Sequence, residues 1–316
     1  MHAPKITVIA CTYNNADMVR KCLDSILKQT YKNFEVLCME GMSKDNTPEV
    51  VREFEKKDKR VKVFLNKTGT VEGRGKAKWR GFRMADGEIV GVIDSDNILQ
   101  DEKFFEKVVT GFKKEKNVIG VLGGTVNDRR DSFVVRFVSL LGTDPFFAYR
   151  SLDFLRNFRE KKGGDYEIFF NKRDNMTLTG GNVFFYKKED IESICGYDQD
   201  IISVKKSIER GKDKILIVNN ATKHYTEKNM RRFVKKLLLG KMYFKEAEDR
   251  LNYLPTTKLE RDTLLKNLIF NVLILPNFYY AFKIFKKSKD PVTFLFPFLA
   301  FVTTFFYGLI FLRQRI

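Results

Sequence analysis

Two acids, Asp94 and Asp96, flank Ser95 and follow directly on the apolar run Ile89-Val90-Gly91-Val92-Ile93. The run reads as a buried parallel strand. Open α/β sheets bind ligands beyond the carboxyl ends of such strands. Two carboxylates one residue apart at that edge can share a hard divalent cation, which in turn can hold phosphate oxygens. A plain acidic turn would look the same, so the pair takes its meaning from its neighbours. Two further strand ends supply them. Ile6 to Cys11 leads into Thr12-Tyr13-Asn14-Asn15, and Phe34 to Met39 leads into Glu40-Gly41-Met42-Ser43-Lys44-Asp45-Asn46-Thr47. A small polar loop with an acid can grip a nucleoside, its backbone and carboxylate bonding base or ribose while an aromatic packs on a ring. Asp45 and Thr47 are also good helix-cap residues. Each loop alone is therefore compatible with ordinary turn chemistry, and three on one sheet edge favour a ligand site.

The elements that must position these groups alternate in type. Asp17 to Gln29 carries Val19, Cys22, Leu23, Ile26 and Leu27 on one helical face. Thr47 to Lys57 is a polar helix with Pro48 at its first position. A strand is expected over Val61 to Leu65, a helix over Gly75 to Met84, a helix over Glu102 to Lys114 and a strand over Val118 to Leu122. Such βαβα order predicts a mostly parallel, doubly wound α/β sheet. Residues 123 to 178 break the pattern with charge pairs around apolar runs, consistent with a helical insertion over the cleft. Regularity returns with the turn Thr179-Gly180-Gly181-Asn182, a strand over Val183 to Tyr186, a helix over Lys188 to Ile194 and a last strand over Ile215 to Val218.

The 316 residues carry a net charge of +18, which points to acidic partners. The four cysteines (11, 22, 38 and 195) have no metal-ligand or disulfide spacing, and the chain enters its first strand with no room for a signal peptide. Both fit a reducing, cytoplasmic setting for the folded part. After Lys228, Met230, Phe233, Val234, Leu237 and Leu238 fall at helical spacing with Arg231, Arg232, Lys235 and Lys236 between them, a basic amphipathic helix suited to a membrane surface. Residues 292–312 hold no charge, are long enough to cross a bilayer and show no polar face, so they are expected to form a transmembrane helix. Residues 268–285 are apolar but interrupted by Asn271, Pro276 and Asn277, with Lys283, Lys286, Lys287 and Lys289 in and after them. They are either a second span or a re-entrant segment, and the positive-inside tendency bears on that choice. Nucleic-acid binding would account for the charge but not for this tail, so no nucleic-acid partner is expected.

The opening ITVIACTYNNADMVRKCLDSILKQTYKNFEVLCMEGMSKDNT resembles the start of family 2 glycosyltransferases, which have the GT-A fold, and GRGKAKWRGFRMADGEIVGVIDSDNIL resembles their next block, ending in the D-x-D metal site. The likeness covers about the first 125 residues. It implies a nucleotide-diphosphate sugar donor, a divalent metal (Mn²⁺ or Mg²⁺), and transfer of the sugar to an acceptor. Thr12, Tyr13 and Asn14 would then line the nucleoside pocket. Glu40 stands where the family often has a base- or ribose-binding aspartate, and Gly41 replaces a frequent second aspartate. Lys78 falls where an A-R-N arginine is common, and Arg74 lies nearby; either cation would suit a phosphate. Asp94 with Ser95 would face the ribose or reach the metal through water, and Asp96 would ligate the metal directly.

The downstream half matches less closely. Gly196-Tyr197-Asp198 resembles a family turn, and Asp200 stands at the family's E-D aspartate with Gln199 in place of the glutamate. An inverting transfer uses one carboxylate to take the acceptor's proton; Asp200 is the first candidate and Asp198 the second. A phosphate acceptor would need no base. His224 occupies a position resembling the family's post-sheet histidine, a candidate metal or diphosphate contact, and Thr179 to Asn182 resembles the acceptor-side turn. The resemblance divides the chain into a GT-A domain over 1–227 (a nucleotide-sugar half, 1–122, and an acceptor half, 123–227), a basic juxtamembrane segment over 228–263 and a membrane region over 264–316. The expected protein is a membrane-associated inverting glycosyltransferase of hexosyltransferase type. It would act on a lipid-linked acceptor at an anionic membrane surface, the catalytic domain facing the cytoplasm. Its rivals are a nucleotidyltransferase on a related fold and a membrane-bound scaffold that has lost turnover.

Overall fold

The computed structural model describes residues 3–67, 74–157, 164–170, 182–193, 200–226, 229–242 and 258–313. It forms two compact units, one of Met1–Val126, Lys161–Arg173 and Thr179–His224, the other of Asn127–Glu160, Asp174–Leu178 and Tyr225–Ile316.

The first unit opens as the periodicity predicts, with β1 (Ile6–Thr12), α1 (Ala16–Leu27), β2 (Phe34–Glu40), α2 (Thr47–Lys57), β3 (Val61–Leu65), α3 (Arg74–Met84) and β4 (Ile89–Ile93). The short β5 (Asn97–Leu99) follows the acidic pair, and α4 (Phe104–Lys114) and β6 (Val118–Thr125) come next. The strands run β3-β2-β1-β4 in parallel, buried between helices. The near-complete burial of β1, β2 and β4 follows from that two-sided covering, while the edge strand β3 alternates and exposes Lys62. Val19, Cys22, Leu23 and Ile26 of α1 and Val50, Val51 and Phe54 of α2 pack into one apolar core with the faces of β1 and β2. The cysteines of that core, Cys22 and Cys38, are free thiols, and burial pushes Cys38 up to about 12.

The second unit begins with α5 (Phe133–Leu141), a 3-10 turn (Pro145–Arg150) and α6 (Leu152–Arg156). The chain then returns to the first unit through β7 (Tyr166–Phe170), β8 (Val183–Lys187), α7 (Lys188–Ser193), α8 (Asp200–Glu209) and β9 (Lys214–His224). The full strand order is β3-β2-β1-β4-β8-β6-β9-β5, with β7 also on β9. The sheet is thus mixed, because β8 lies antiparallel between β4 and β6. Its rings take the room left by glycines on either side. A Cβ on Gly91 would lie 2.2 Å from the Phe185 ring, and one on Gly120 would lie 2.0 Å from Phe184. Strands β5 and β7 have no clear signature in the residues. β5 is only three residues long, and Tyr166–Phe170 is an isolated aromatic run.

The C-terminal part of the second unit comprises α9 (Met230–Met242), α10 (Lys258–Leu273), α11 (Leu275–Ser288), a 3-10 turn (Pro291–Leu295) and α12 (Phe296–Arg313). Its core joins Val134, Phe137, Val138 and Leu141 of α5 to Phe233 and Leu237 of α9, Ile284 of α11, and Phe296 and Ala300 of α12. The segment after residue 126 therefore shares a core with the C-terminal helices. Pro291–Leu309 is long and apolar enough to cross a membrane, and α10 and α11 form an apolar pair bent by 88°.

Candidate active site

Parallel register brings the ends of β2, β1 and β4 side by side, with Thr12 opposite Glu40 and Ile9 opposite Val92. The loops after β1 and β2 are stitched together. Asn14 N–H donates to Ser43 Oγ (2.9 Å), Lys44 N–H to Asn14 Oδ1 (2.7 Å) and Asn15 N–H to Thr47 Oγ1 (3.0 Å). Asp45 accepts from the Thr47 and Ala16 amides at 3.0 and 3.4 Å. Burial pushes its carboxyl up, but the Thr47 hydroxyl and these amides outweigh that and hold it below the ordinary carboxylate range. Asn14 and Met42 adopt positive φ (47° and 69°), the tight reversals that let the two loops meet. Glu40 is buried and accepts from Met42 N–H (3.0 Å) and Ser43 N–H (2.8 Å). Its carboxylate thus shapes the loop beneath Tyr13, whose ring lies 45% exposed beside Gly41. At Gly41 a Cβ would come within 3.3 Å of the Thr12 carbonyl, so a bulky acid there would crowd the floor of this shelf. Thr12 itself is buried, and its Oγ1 has no hydrogen-bond partner among the described residues.

Beyond β4 the two acids separate. Asp94 is held through its backbone, its N–H donating to Asn182 O at 2.8 Å, and its Oδ1 lies 3.3 Å from Lys78 Nζ, both side chains largely buried. The cation expected at the phosphates is thus set against the inner acid. Ser95 sits in the turn between the acids, half-buried. Asp96 faces the other way, its Oδ2 3.4 Å from His224 Nε2. That meeting depends on β9, which pairs with β7 as far as Val218 and with β6 through a register shift to Thr222, passes through Asn220 at φ 52°, and pairs with β5 so that His224 lies opposite Asn97. Irregularities of this kind re-aim side chains beside active sites.

Asn97 and Asn182 stand out only in three dimensions. Asn97 Nδ2 donates to Asp96 Oδ1 (2.9 Å) and Asp94 O (3.2 Å), while its buried Oδ1 has no partner. Asn182 Nδ2 lies 3.3 Å from His224 Nδ1. With the amide donating, the ring proton is on Nε2 and points at Asp96. With the amide turned, its Oδ1 would accept from Nδ1–H and free Nε2 as a ligand, so one asparagine serves both tautomers. Asn97 follows the acidic pair directly and was within reach of the residues. No spacing rule links position 182 to 224.

Among the described residues no cluster of three His, Cys, Asp or Glu side chains is tight enough to hold a cation alone. Asp96 with His224 is nonetheless a chemically suitable pair for Mn²⁺ or Mg²⁺, which commonly take one or two protein ligands and complete their shell with water and substrate phosphates. Asp200 begins α8, but its side chain, all of Asp198 and the turn residues 179–181 lie outside the described residues, as does the side chain of Arg74.

Glycosyltransferase GlyG of Streptococcus pneumoniae is 33% identical to the chain over 127 residues, 39% of each protein. The GalNAc(5)-diNAcBac-PP-undecaprenol β-1,3-glucosyltransferase of Campylobacter jejuni is 35% identical over 96 residues, 30% of this chain and 31% of its own. The aligned part thus spans about a third of these relatives' length. The mannosyltransferase of Pyrobaculum calidifontis, solved in complex with GDP-Man and Mn²⁺, superposes on 93% of the chain and 74% of its own with a TM-score of 0.52 at 17% identity, a likeness that shows the GT-A fold. Residues 7–194, more than half of the 316, match the model for Glycosyl transferase family 2, and the chain belongs to that family.

Proposed function

We propose that the chain is a metal-dependent, inverting glycosyltransferase that takes a nucleotide-diphosphate sugar and passes its sugar to a lipid-linked acceptor at the cytoplasmic face of the cell membrane. The observation that carries the donor half is the division of labour at the end of β4: Asp94 is paired with buried Lys78, while Asp96 is turned toward His224. A divalent ion held by Asp96 and His224 would neutralise the diphosphate leaving group.

The chain's own groups do the rest. The exposed Tyr13 ring offers a face for the base, and the loop braced by Glu40 keeps that ring in place. Thr12 Oγ1, buried without a partner, is a hydroxyl held ready for a polar ligand atom, since such groups are costly unless satisfied. The Lys78–Asp94 pair would offer a cation and an acid to the ribose-phosphate junction of the donor. Asp200, or Asp198, would accept the acceptor's proton, and a phosphate acceptor would dispense with that step. Support for the lipid-linked acceptor is the undecaprenol-linked substrate in the name of the Campylobacter relative, together with the apolar helices of the second unit.

The test is thermal stabilisation by UDP-, GDP- and dTDP-sugars with and without Mn²⁺, followed by product analysis with polyprenyl-phosphate and lipid-linked acceptors. One donor class should stabilise the protein only with metal and release a nucleoside diphosphate. Release of pyrophosphate would identify a nucleotidyltransferase instead, and metal-dependent binding without turnover on any acceptor would leave a binding scaffold.

A further inference from the structure

The apolar helix α12 has two unlike faces. Phe296, Ala300, Thr303 and Thr304 are buried, and Tyr307 beside them closes the same side. Phe298, Phe301, Phe305, Phe306 and Leu309 are exposed. The buried face meets charge at both ends. At its start, buried Asp290 caps the preceding 3-10 turn through Val292 N–H (3.0 Å) and lies 3.5 Å from Arg136 of α5. Near its end, Tyr307 Oη donates to Asp144 Oδ2 (3.0 Å), and the Tyr307 ring packs on Phe146. Between them, Phe233 and Leu237 of α9 share a core with Phe296 and Ala300, and the other side of α9 exposes Arg231, Arg232, Lys235 and Lys236.

Asp290 and Tyr307 are roughly 25 Å apart along the helix axis, against a hydrocarbon thickness of about 30 Å. A helix crossing the bilayer there would set Arg136 and Asp144 just inside the two hydrocarbon boundaries and carry the basic residues of α9, whose Phe233 and Leu237 share a core with Phe296 and Ala300, below the surface beside it; ionised groups below the boundary are rare outside water-filled paths. The exposed face has no such conflict.

The neighbouring elbow shows the same one-sidedness. α10 and α11 meet at 88° about Ile274, a β-branched residue at φ 60°. The corner residues Val272, Leu273 and Leu275 are exposed, Leu275 by 77%, and Leu265, Ile269, Tyr279 and Phe282 extend the surface. Lysines sit over its rings, Lys283 Nζ 4.7 Å from the Tyr279 centroid, Lys286 Nζ 4.8 Å from Phe282 and Lys266 Nζ 5.3 Å from Phe270. A ring with an ammonium above it suits the headgroup boundary, where the stem is buried and the charge stays wet. Phe278 packs edge-on against Phe298 at 5.5 Å, joining elbow to α12.

We propose that α10, α11 and α12 together form a docking surface for a single leaflet of an anionic membrane, with α12 lying along the bilayer rather than across it. The inference rests on the membrane attachment proposed above and specifies its mode. The full-length protein, with Phe298, Phe301, Phe305 or Leu309 replaced singly by Trp, is bound to sealed phosphatidylglycerol–phosphatidylcholine vesicles whose lipids carry bromine near the headgroup end or near the methyl end of the acyl chain. Quenching above the Trp79 background should favour the headgroup-end bromines about twofold at all four positions, matching a depth of about 5–10 Å. A C-terminal tag should remain cleavable from outside, and phosphatidylcholine alone should bind more weakly. Deep quenching at Phe301→Trp and Phe305→Trp with a protected tag would establish a span and overturn the in-plane arrangement while leaving membrane attachment standing. Failure to bind any vesicle, or quantitative dimerisation through this face in solution, would overturn both.

Discussion

Strand β2 carries a buried glutamate near each end, and the two have unlike surroundings. Glu35, at the N-terminal edge of the sheet, accepts from Thr7 Oγ1 (2.7 Å), Lys62 Nζ (2.8 Å) and Asp86 N–H (3.1 Å), with Lys5 Nζ at 3.1 Å. Thr7 Oγ1 in turn accepts from Gly87 N–H at 2.9 Å. Burial alone would raise the Glu35 pKa, but Lys62, Thr7, the Asp86 amide and Lys5 bring it from 4.5 down to about 2. The Glu40 carboxylate, at the other edge, accepts only from two amides of its own loop among the bonds described. At the same edge Thr12 Oγ1, opposite Glu40, and Asn97 Oδ1, beyond β4, are buried without partners among the described residues. One edge is closed by fixed protein cations and donors. The other keeps polar atoms in reserve. A carboxylate at a strand end is thus structural or functional according to what its neighbours leave unsatisfied, and α/β sheets place ligands at the C-terminal edge.

That contrast can be broken most sharply at Asp96. Asp96→Ala should lower turnover by about a thousandfold and abolish Mn²⁺-dependent thermal stabilisation, while the midpoint without metal stays near that of the parent. A fully active variant would remove the acid from the site. Asn182→Ala should weaken Mn²⁺ binding by about 10- to 100-fold, read as free Mn²⁺ by electron paramagnetic resonance, because His224 loses the group that orients it. Unchanged affinity would reduce Asn182 to a turn residue.

At the opposite edge the sign should reverse. Glu35→Gln should cost about 2 kcal/mol of stability, the pKa displacement corresponding to about 3 kcal/mol before solvent screening of the partly exposed lysines. KM for the donor should not move. Because the folded-state pKa is depressed, this contribution is complete above pH 4.5 and disappears as the pH falls toward about 2. Urea titrations of parent and variant should therefore converge across that window, and a constant gap would show that packing rather than charge is responsible. The smallest effect is expected from Thr12→Val, which removes an unpaired buried hydroxyl. The empty protein should be as stable as the parent or about 1 kcal/mol more so, with donor KM raised severalfold. A clear loss of stability would mean that the hydroxyl serves the fold.

Much of the part that runs from β1 to β4 was legible in the residues because its determinants are local. The first four strands are short stretches dominated by Val, Ile, Leu and Phe, α1 and α2 show helical periodicity, and Pro48 marks where α2 starts. The acid pair is visible as an acid pair wherever β4 ends. Less accessible was the antiparallel β8, which enters between β4 and β6 from about ninety residues downstream of β4 because Gly91 and Gly120 leave space for Phe185 and Phe184. The irregularity of β9 around Asn220 lies within a strand that continues past its expected end at Val218 and delivers His224 to Asp96.

The types and spacing of residues were therefore sufficient to determine that an α/β sheet presents three polar loops and two acids at one edge, because strand, turn and cap preferences act over a few residues. Only the tertiary structure decided that Asp94 takes Lys78 while Asp96 takes His224, that Asn182 sets the histidine ring, and that α12 is covered on one side. Each of those depends on which groups meet across long stretches of chain, and on which buried polar atoms are left without a partner once they have met.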